Sequence, residues 1–169
     1  MFGGKTHFMS LDAFVFCDCY ERGRLRAPPP VGVSLKVESD GSLGREGDDG
    51  TLEADLAWDR WREQLACEHP GGMLLRYRLG NISLIGSLRS ELQREPSRFP
   101  ILFSKVLFSG SHAGDYIPFD LVPALQRELE GLADFRCSAR KTDAFMSEFR
   151  TQMSALVAAS LAVSKPITF

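Results

Sequence analysis

The chain has 169 residues, of which 44% are hydrophobic and 25% charged. These values are typical of a globular domain with its own core, and a net charge of -2 provides no overall field to attract nucleic acid. No apolar run approaches the ~18 residues of a membrane helix, and residues 1–10 lack a secretory apolar segment, so we expect a cytoplasmic protein. In that compartment, its four cysteines favour free thiols, a metal site or a redox role over structural disulfides.

The first part of the chain predicts two strands separated by a loop. Residues 1–10 resemble a leader, and we expect the folded domain to occupy residues 11–169. Aromatic and β-branched residues alternate over Leu11–Cys19, which predicts a buried strand. Three consecutive prolines make Arg22–Pro30 a loop. The alternation over Val33–Val37 then predicts a half-exposed strand.

The middle of the chain alternates between loop, helix and strand. Gly44–Gly50 has almost nothing to bury, so we expect a mobile loop there. Leucines and tryptophans at roughly helical spacing predict a helix over about Glu53–Cys67, with both tryptophans facing the core. Alternation over Met73–Leu79 predicts another strand. Asn81 is a suitable N-cap for the helix that follows, whose apolar stripe runs from Ile82 to Leu92.

The last third predicts one further strand and two helices. The strand lies at about Ile101–Phe108, Asp120 is the expected N-cap of the next helix, and a long helix covers about Asp143–Val163. Together the elements predict an α+β fold in a single domain. We expect a mixed or mostly antiparallel sheet of about four to five strands, with about four helices packed on it.

Three of the four cysteines and two of the three histidines lie in three short clusters. The first two clusters contain Cys17, Cys19, Cys67 and His69. Thiolates and an imidazole in a set of four are the ligands of a structural zinc site, so zinc is the cofactor that the sequence suggests. The spacings C-x-C and C-x-H match no established zinc motif, however. Buried free cysteines and a histidine in a turn explain the same residues, and from the sequence alone that simpler interpretation is preferred.

The third cluster, Ser109–Asp115, is a glycine-containing loop. Such a loop can bring His112 close to Asp115, which would fix the tautomer of His112 and raise its basicity. Ser111 or Ser109 would then be the nucleophile of a hydrolase, and His112 is the best single catalytic candidate. No G-x-S-x-G elbow surrounds either serine, and no oxyanion hole can be named. A turn whose polar side chains bond to the backbone is therefore preferred.

Arginines recur at alternate positions in one loop and one strand. Guanidinium groups make bidentate contacts with carboxylates and phosphates, so an acidic partner surface could use them. Solvated faces show the same pattern and usually bind nothing. The residues in question are Arg22, Arg24, Arg26, Arg76 and Arg78.

Five short motifs occur in order along the chain: F-C-D-C-Y-E-R-G-R-L, A-C-E-H, L-G-N-I, S-G-S-H-A-G-D-Y and K-P-I-T-F. With them, the segment from Leu11 to Phe169 resembles small bacterial single-domain proteins that include immunity proteins of polymorphic toxin systems. The resemblance implies a protein that binds a toxin and blocks it, and it carries no catalytic residues.

Three functional hypotheses follow. The first is a non-enzymatic binding protein whose partner is another protein and whose surface is built from loops. The second is a zinc-binding protein or a metal-dependent hydrolase whose ligands are drawn from the three clusters: Cys17, Cys19, Cys67, His69, His112 and Asp115. The third is a metal-free serine hydrolase. Each site hypothesis requires clusters that are distant in sequence to converge in space.

Overall fold

The structure is a computed structural model and describes residues 10–46, 50–108, 112 and 114–169. Its central sheet is antiparallel throughout and has the strand order β4-β1-β6-β5. A second sheet in the described residues is an antiparallel hairpin of β2 and β3. The strands are β1 (Ser10–Phe16), β2 (Ser34–Val37), β3 (Leu43–Glu46), β4 (Met73–Asn81), β5 (Tyr116–Ile117) and β6 (Ile167–Thr168).

The described ranges contain four α-helices, so the α+β class and the antiparallel sheet are as predicted. Asn81 caps the second helix as expected, because its side chain accepts a hydrogen bond from the backbone N–H of Leu84. None of the described helices has the length and apolar content of a membrane span. The helices are α1 (Leu52–Arg60), α2 (Ile82–Leu92), α3 (Val122–Gly131) and α4 (Arg140–Val163).

The main core lies between one face of the central sheet and the helices. Leu11, Ala13 and Val15 alternate along β1 and are buried, so this face of the strand supplies the sheet side of the core. Phe149 and Met153 of α4 are fully buried against it, one helical turn apart. This core fixes β1 and β4 in place, since β4 is the direct partner of β1.

Residues 20–66, which form the larger part of the connection from β1 to β4 and which we call the insertion, have a separate small core. Trp58, Trp61 and Ala66 are buried there, with partly buried neighbours from the hairpin and the preceding loop. The tryptophans are therefore buried as predicted, but in this second cluster. Leu56 and Leu65, expected on the same face of the helix, are exposed. Three buried side chains are few for an independent folding unit, so the insertion depends on ties to the main domain.

The C-terminal segment supplies one of these ties. The buried ammonium of Lys165 donates to the carbonyl oxygen of Gly41 at 3.2 Å and pairs with the carboxylate of Glu21. The hydroxyl of Thr168 donates to the carbonyl oxygen of Asp40 at 2.7 Å. The tip of the hairpin is thereby fixed to β6 in the central sheet.

The predicted strand at Ile101–Phe108 is wrong, because the segment is helical and includes a π-helical stretch at Leu102–Val106. The cause is the buried side chain of Glu128, whose carboxylate accepts from the backbone N–H of Ile101 at 2.8 Å and of Leu102 at 2.9 Å. This carboxylate satisfies the first donors of a helix. A short apolar run is compatible with either a strand or a buried helix, so its pattern could not reveal this.

Other boundaries also differ from expectation. β1 begins at Ser10, the last residue of the predicted leader, and residues 1–9 lie outside the described part. β3 covers the first residues of the predicted loop Gly44–Gly50, because they pair with β2, and residues 47–49 are not described. Asp120 is not the N-cap of α3. It belongs to a short 3-10 turn, Phe119–Leu121, that leads into the helix.

We predict that Glu128→Ala lowers the free energy of unfolding by about 2 kcal/mol, because it leaves buried backbone donors without an acceptor. Glu128→Gln should lose less, since the amide oxygen still accepts one of these bonds. Glu130→Ala is the matched control, as Glu130 is an exposed residue of the same helix. Urea denaturation measures all three variants. Equal losses for Glu128→Ala and Glu130→Ala would show that the carboxylate does not hold the segment.

Candidate metal centre

The pairing of β1 with β4 brings the first two clusters together. Phe16, the last residue of β1, is opposite Met73, the first residue of β4. Cys17 and Cys19 follow the end of β1, whereas Cys67 and His69 precede the start of β4. Beyond the paired residues, the backbone N–H of Cys17 donates to the carbonyl oxygen of Gly72 at 2.8 Å. The two ends of the insertion therefore lie side by side.

Local backbone geometry aims the second pair of side chains. α1 continues as a π-helical stretch, Trp61–Leu65, which ends just before Cys67. His69 is extended, and Gly71 and Gly72 then adopt φ angles of 62° and 72°. Only glycine reaches this left-handed region without strain, so the pair allows the chain to reverse into β4.

Four side chains converge at this point, and we call them the Cys/His cluster: Cys17, Cys19, Cys67 and His69. Their ligand atoms all lie within 4.8 Å of one another, so the group could hold a metal ion. The Sγ atoms of Cys17 and Cys67 are 3.7 Å apart, and Cys19 Sγ is 3.4 Å from His69 Nδ1. A tetrahedral zinc site has ligand separations of about 3.8 Å between two sulfurs and about 3.5 Å between sulfur and nitrogen. Both distances fit that tetrahedron.

The thiols of the Cys/His cluster are shielded from water. Cys19 is 2% exposed and Cys67 9%, while Cys17 is half-buried. Burial is the largest effect on Cys17 and raises its pKa to about 12, with further contributions from the neighbouring thiols. Burial also raises the pKa of Cys19. Desolvation favours the neutral thiols, so a cation that binds here has to displace protons and supply the charge that stabilises the thiolates.

Polar groups around the cluster suit a bound cation with several thiolates. The backbone N–H of His69 donates to Cys67 Sγ at 3.4 Å, which is a supporting contact for a ligand sulfur. A cavity of about 30 Å³ is lined by all three cysteines and also by Arg62. The Nε of Arg62 is buried and has no hydrogen-bond partner in the described residues, while its Nη2 lies 4.0 Å from Asp59 and 3.6 Å from Glu63. Three thiolates, a neutral imidazole and a divalent ion carry one net negative charge. The guanidinium of Arg62 supplies positive charge beside them, which it shares with these two carboxylates.

The acidic residues between the ligands bind the loop arginines. Asp18 is buried and pairs with Arg22 and, at 2.6 Å, with Arg24. Burial raises the pKa of Asp18, but the hydrogen bonds and charges of both arginines outweigh it and lower the pKa below its usual value. Glu68 lies 3.6 Å from Arg26. Asp18 lies between two ligands at the end of β1, and Glu68 lies between two ligands before β4. The arginines at the start of the insertion therefore contact both segments that carry the cluster.

The arginines predicted to contact a partner are mostly engaged within the chain. Arg22, Arg24 and Arg26 pair with the acids of the Cys/His region. Arg76 pairs with Asp12 at 3.1 Å. Arg78 is exposed and has no ion pair among the described residues, and its contact with a partner stays a prediction.

His112 is packed among aromatic rings. Its ring centroid lies 4.1 Å from that of Phe108 and 5.4 Å from that of Phe169. Its Nδ1 is 3.8 Å from Asp115 Oδ2, which is beyond hydrogen-bond range, and this nitrogen is buried without a partner in the described part of the chain. Burial lowers the pKa of His112, although the charge of Asp115 and the backbone of Phe108 oppose it. The loop brings His112 close to Asp115 as expected, and the backbone N–H of Asp115 donates to the carbonyl oxygen of His112 at 2.9 Å, but the side chains form no direct hydrogen bond and the expected rise in basicity does not occur.

The third cluster does not join the other two. Ser109 and Ser111, the proposed nucleophiles, lie outside the described residues. His112 and Asp115 are not among the side chains that could share a metal ion in the described part. The convergence on which the hypotheses depend therefore occurs for the first two clusters.

Comparisons of the chain with protein-family models, curated proteins and solved structures gave no match. The candidate site is therefore argued from its own geometry. Sequence reasoning missed the supporting roles of Asp18 and Glu68. The signal was present, because each acid lies between two metal-ligating residue types and arginines follow at alternate positions.

We predict that Asp18→Asn lowers the free energy of unfolding by about 1 to 2 kcal/mol, because a buried carboxylate loses charge-assisted bonds to two arginines. The matched control is Asp12→Asn, which removes a more exposed pair with a single arginine and should change stability by less than about 0.5 kcal/mol. Chemical denaturation measures the free energy of unfolding of both variants, with each protein in the same metal-bound or metal-free state. Equal effects would contradict a special role for Asp18.

Proposed function

We propose that the protein binds zinc through the Cys/His cluster and that the ion is structural. The observation that carries this proposal is the convergence of four ligand atoms within 4.8 Å from the two ends of the insertion. These residues are close in space because the main sheet holds them there, although the two halves of the cluster are about 50 positions apart in sequence. Such an arrangement allows one ion to join both ends.

The donor set favours zinc over other divalent ions. Soft thiolates select zinc and other soft metals, whereas magnesium and calcium take oxygen ligands. Three cysteines and one histidine are an established ligand set of tetrahedral structural zinc. The sulfur–sulfur distance of 3.7 Å and the sulfur–nitrogen distance of 3.4 Å support this geometry.

A closed site supports a structural ion over a hydrolase. Catalytic zinc normally has three protein ligands and a water in the fourth position. Here four side chains are available for a tetrahedron, so no position is left for an activated water. The ion would instead close the base of the insertion, whose own core consists of few side chains. Binding free energy at such a site contributes directly to folding.

The predicted role in binding another protein stays a prediction, as does the toxin partner that the resemblance implies. A structural zinc ion is compatible with it, since such an ion performs no chemistry and leaves the surface to determine the partner. A pull-down from the native cell that recovers no specific protein would count against this role.

We predict that protein purified without an affinity tag contains about one equivalent of zinc, because structural zinc is held tightly. Cys67→Ser and His69→Ala should each lower the zinc content and weaken zinc binding in competition with a chromophoric chelator. Cys137→Ser is the matched control, because this cysteine lies outside the cluster and should leave zinc binding unchanged.

Inductively coupled plasma mass spectrometry measures the zinc content. Less than about one-tenth of an equivalent, with no uptake when the reduced protein is titrated with zinc, would contradict the proposal. Zinc content that persists in both Cys67→Ser and His69→Ala would place the metal elsewhere.

A further inference from the structure

Cys17 and Cys67 face each other across the base of the insertion. Their Sγ atoms are 3.7 Å apart, and they belong to segments held together by the register of β1 with β4. A disulfide requires a sulfur separation of about 2.05 Å, so a modest movement of the two side chains would suffice. The backbone bond from Cys17 to Gly72 keeps the two segments adjacent in either state.

We propose that Cys17 and Cys67 form a disulfide when the metal is absent and a small disulfide oxidant is present. The covalent bond then replaces zinc as the link between the ends of the insertion. This inference rests on the proposed function in that the same centre holds zinc under reducing conditions. The new element is that a Cys17–Cys67 disulfide takes the place of the zinc ion in the same centre.

Geometry favours this pair over the two alternatives in the cluster, Cys17–Cys19 and Cys19–Cys67. Cys17 and Cys19 are separated by one residue in the chain, so a bond between them would close a small, strained ring. Cys19 Sγ instead contacts the imidazole of His69. Cys67 approaches Cys17 from the opposite segment, so their bond does not require a strained local ring.

Accessibility determines which thiol reacts first. Cys17 is half-buried, whereas Cys19 and Cys67 are buried. With glutathione disulfide as the oxidant, Cys17 reacts through the small fraction of its thiol that is ionised, because burial raises its pKa. This thiolate attacks one sulfur, forms a mixed disulfide and releases one glutathione thiolate. The thiolate of Cys67 then attacks the sulfur of Cys17 and releases the second glutathione. The two protein thiols lose two electrons and two protons, and the oxidant is reduced to two glutathione thiols.

Zinc coordination and the Cys17–Cys67 disulfide exclude each other. Zinc coordination occupies the sulfur lone pairs and covers the thiolates, so a loaded centre should react slowly with the oxidant. The disulfide removes two of the four ligands, so the oxidised protein should no longer bind zinc. The bond closes a loop over a sequence separation of 50 residues, which restricts the unfolded chain strongly.

The test incubates reduced, metal-free protein with glutathione disulfide under native conditions, followed by thiol blocking and peptide mapping by mass spectrometry. We expect a loss of two hydrogen atoms, a Cys17–Cys67 linked peptide and no retained glutathione. Zinc-loaded protein should oxidise at least about tenfold more slowly. Oxidised metal-free protein should melt about 5 to 15 °C above its reduced metal-free form.

Two variants serve as matched controls. Cys19→Ser keeps the reacting pair and should form the same linked peptide, whereas Cys67→Ser should retain glutathione on Cys17. Circular dichroism of the reduced variants shows whether they fold, and mapping of the natural chain decides the proposal in either case.

A Cys17–Cys19 bond, a Cys19–Cys67 bond, a bond to Cys137 or a stable glutathione adduct on the natural chain would overturn the inference. Failure here is distinguishable from failure of the proposed function. Zinc bound at one equivalent without disulfide formation disproves only the disulfide. Disulfide formation in a protein that takes up no zinc disproves only the zinc centre.

Discussion

The antiparallel pairing of β1 with β4 determines where both ends of the insertion lie. The register runs from Ser10 opposite Asn81 to Phe16 opposite Met73, so the chain leaves β1 and enters β4 at the same end of the strand pair. The Cys/His cluster is located at this exit and entry point. Its ligands are therefore positioned by the main core, on which the strands pack, and not by a local knuckle. A metal ion bound there would connect two chain segments that the sheet has already brought together.

The insertion explains why such a connection is useful. Its buried side chains are few, and its first loop and its hairpin are held by separate polar ties: Asp18 with the loop arginines, and Lys165 with Gly41. Each tie orders a different part of the insertion. Zinc would join the two ends of the insertion at the Cys/His cluster, where burial otherwise favours neutral thiols. Stability of the insertion and occupancy of the centre would then be coupled.

Much of the fold was predictable from periodicity, because long amphipathic elements carry their own signal. Leu11–Cys19 and Met73–Leu79 were identified as strands, and the four ligands were named as a group. Their convergence was not predictable, since it depends on strand pairing across the whole insertion and the spacings match no known motif. The error at Ile101–Phe108 has a similar cause, because the deciding carboxylate belongs to Glu128. β5 and β6, with two residues each, are too short to show any period.

We propose that zinc holds the insertion to the main domain, and hydrogen exchange with and without the metal tests this proposal most directly. Amide exchange would be followed by mass spectrometry in zinc-loaded protein and after chelation under reducing conditions. After zinc is removed, we expect faster exchange in α1 and in the β2–β3 hairpin, while β1, β4 and α4 keep their protection, because only the insertion depends on the ion. Unchanged exchange in the insertion, or an equal loss of protection throughout the chain, would contradict it.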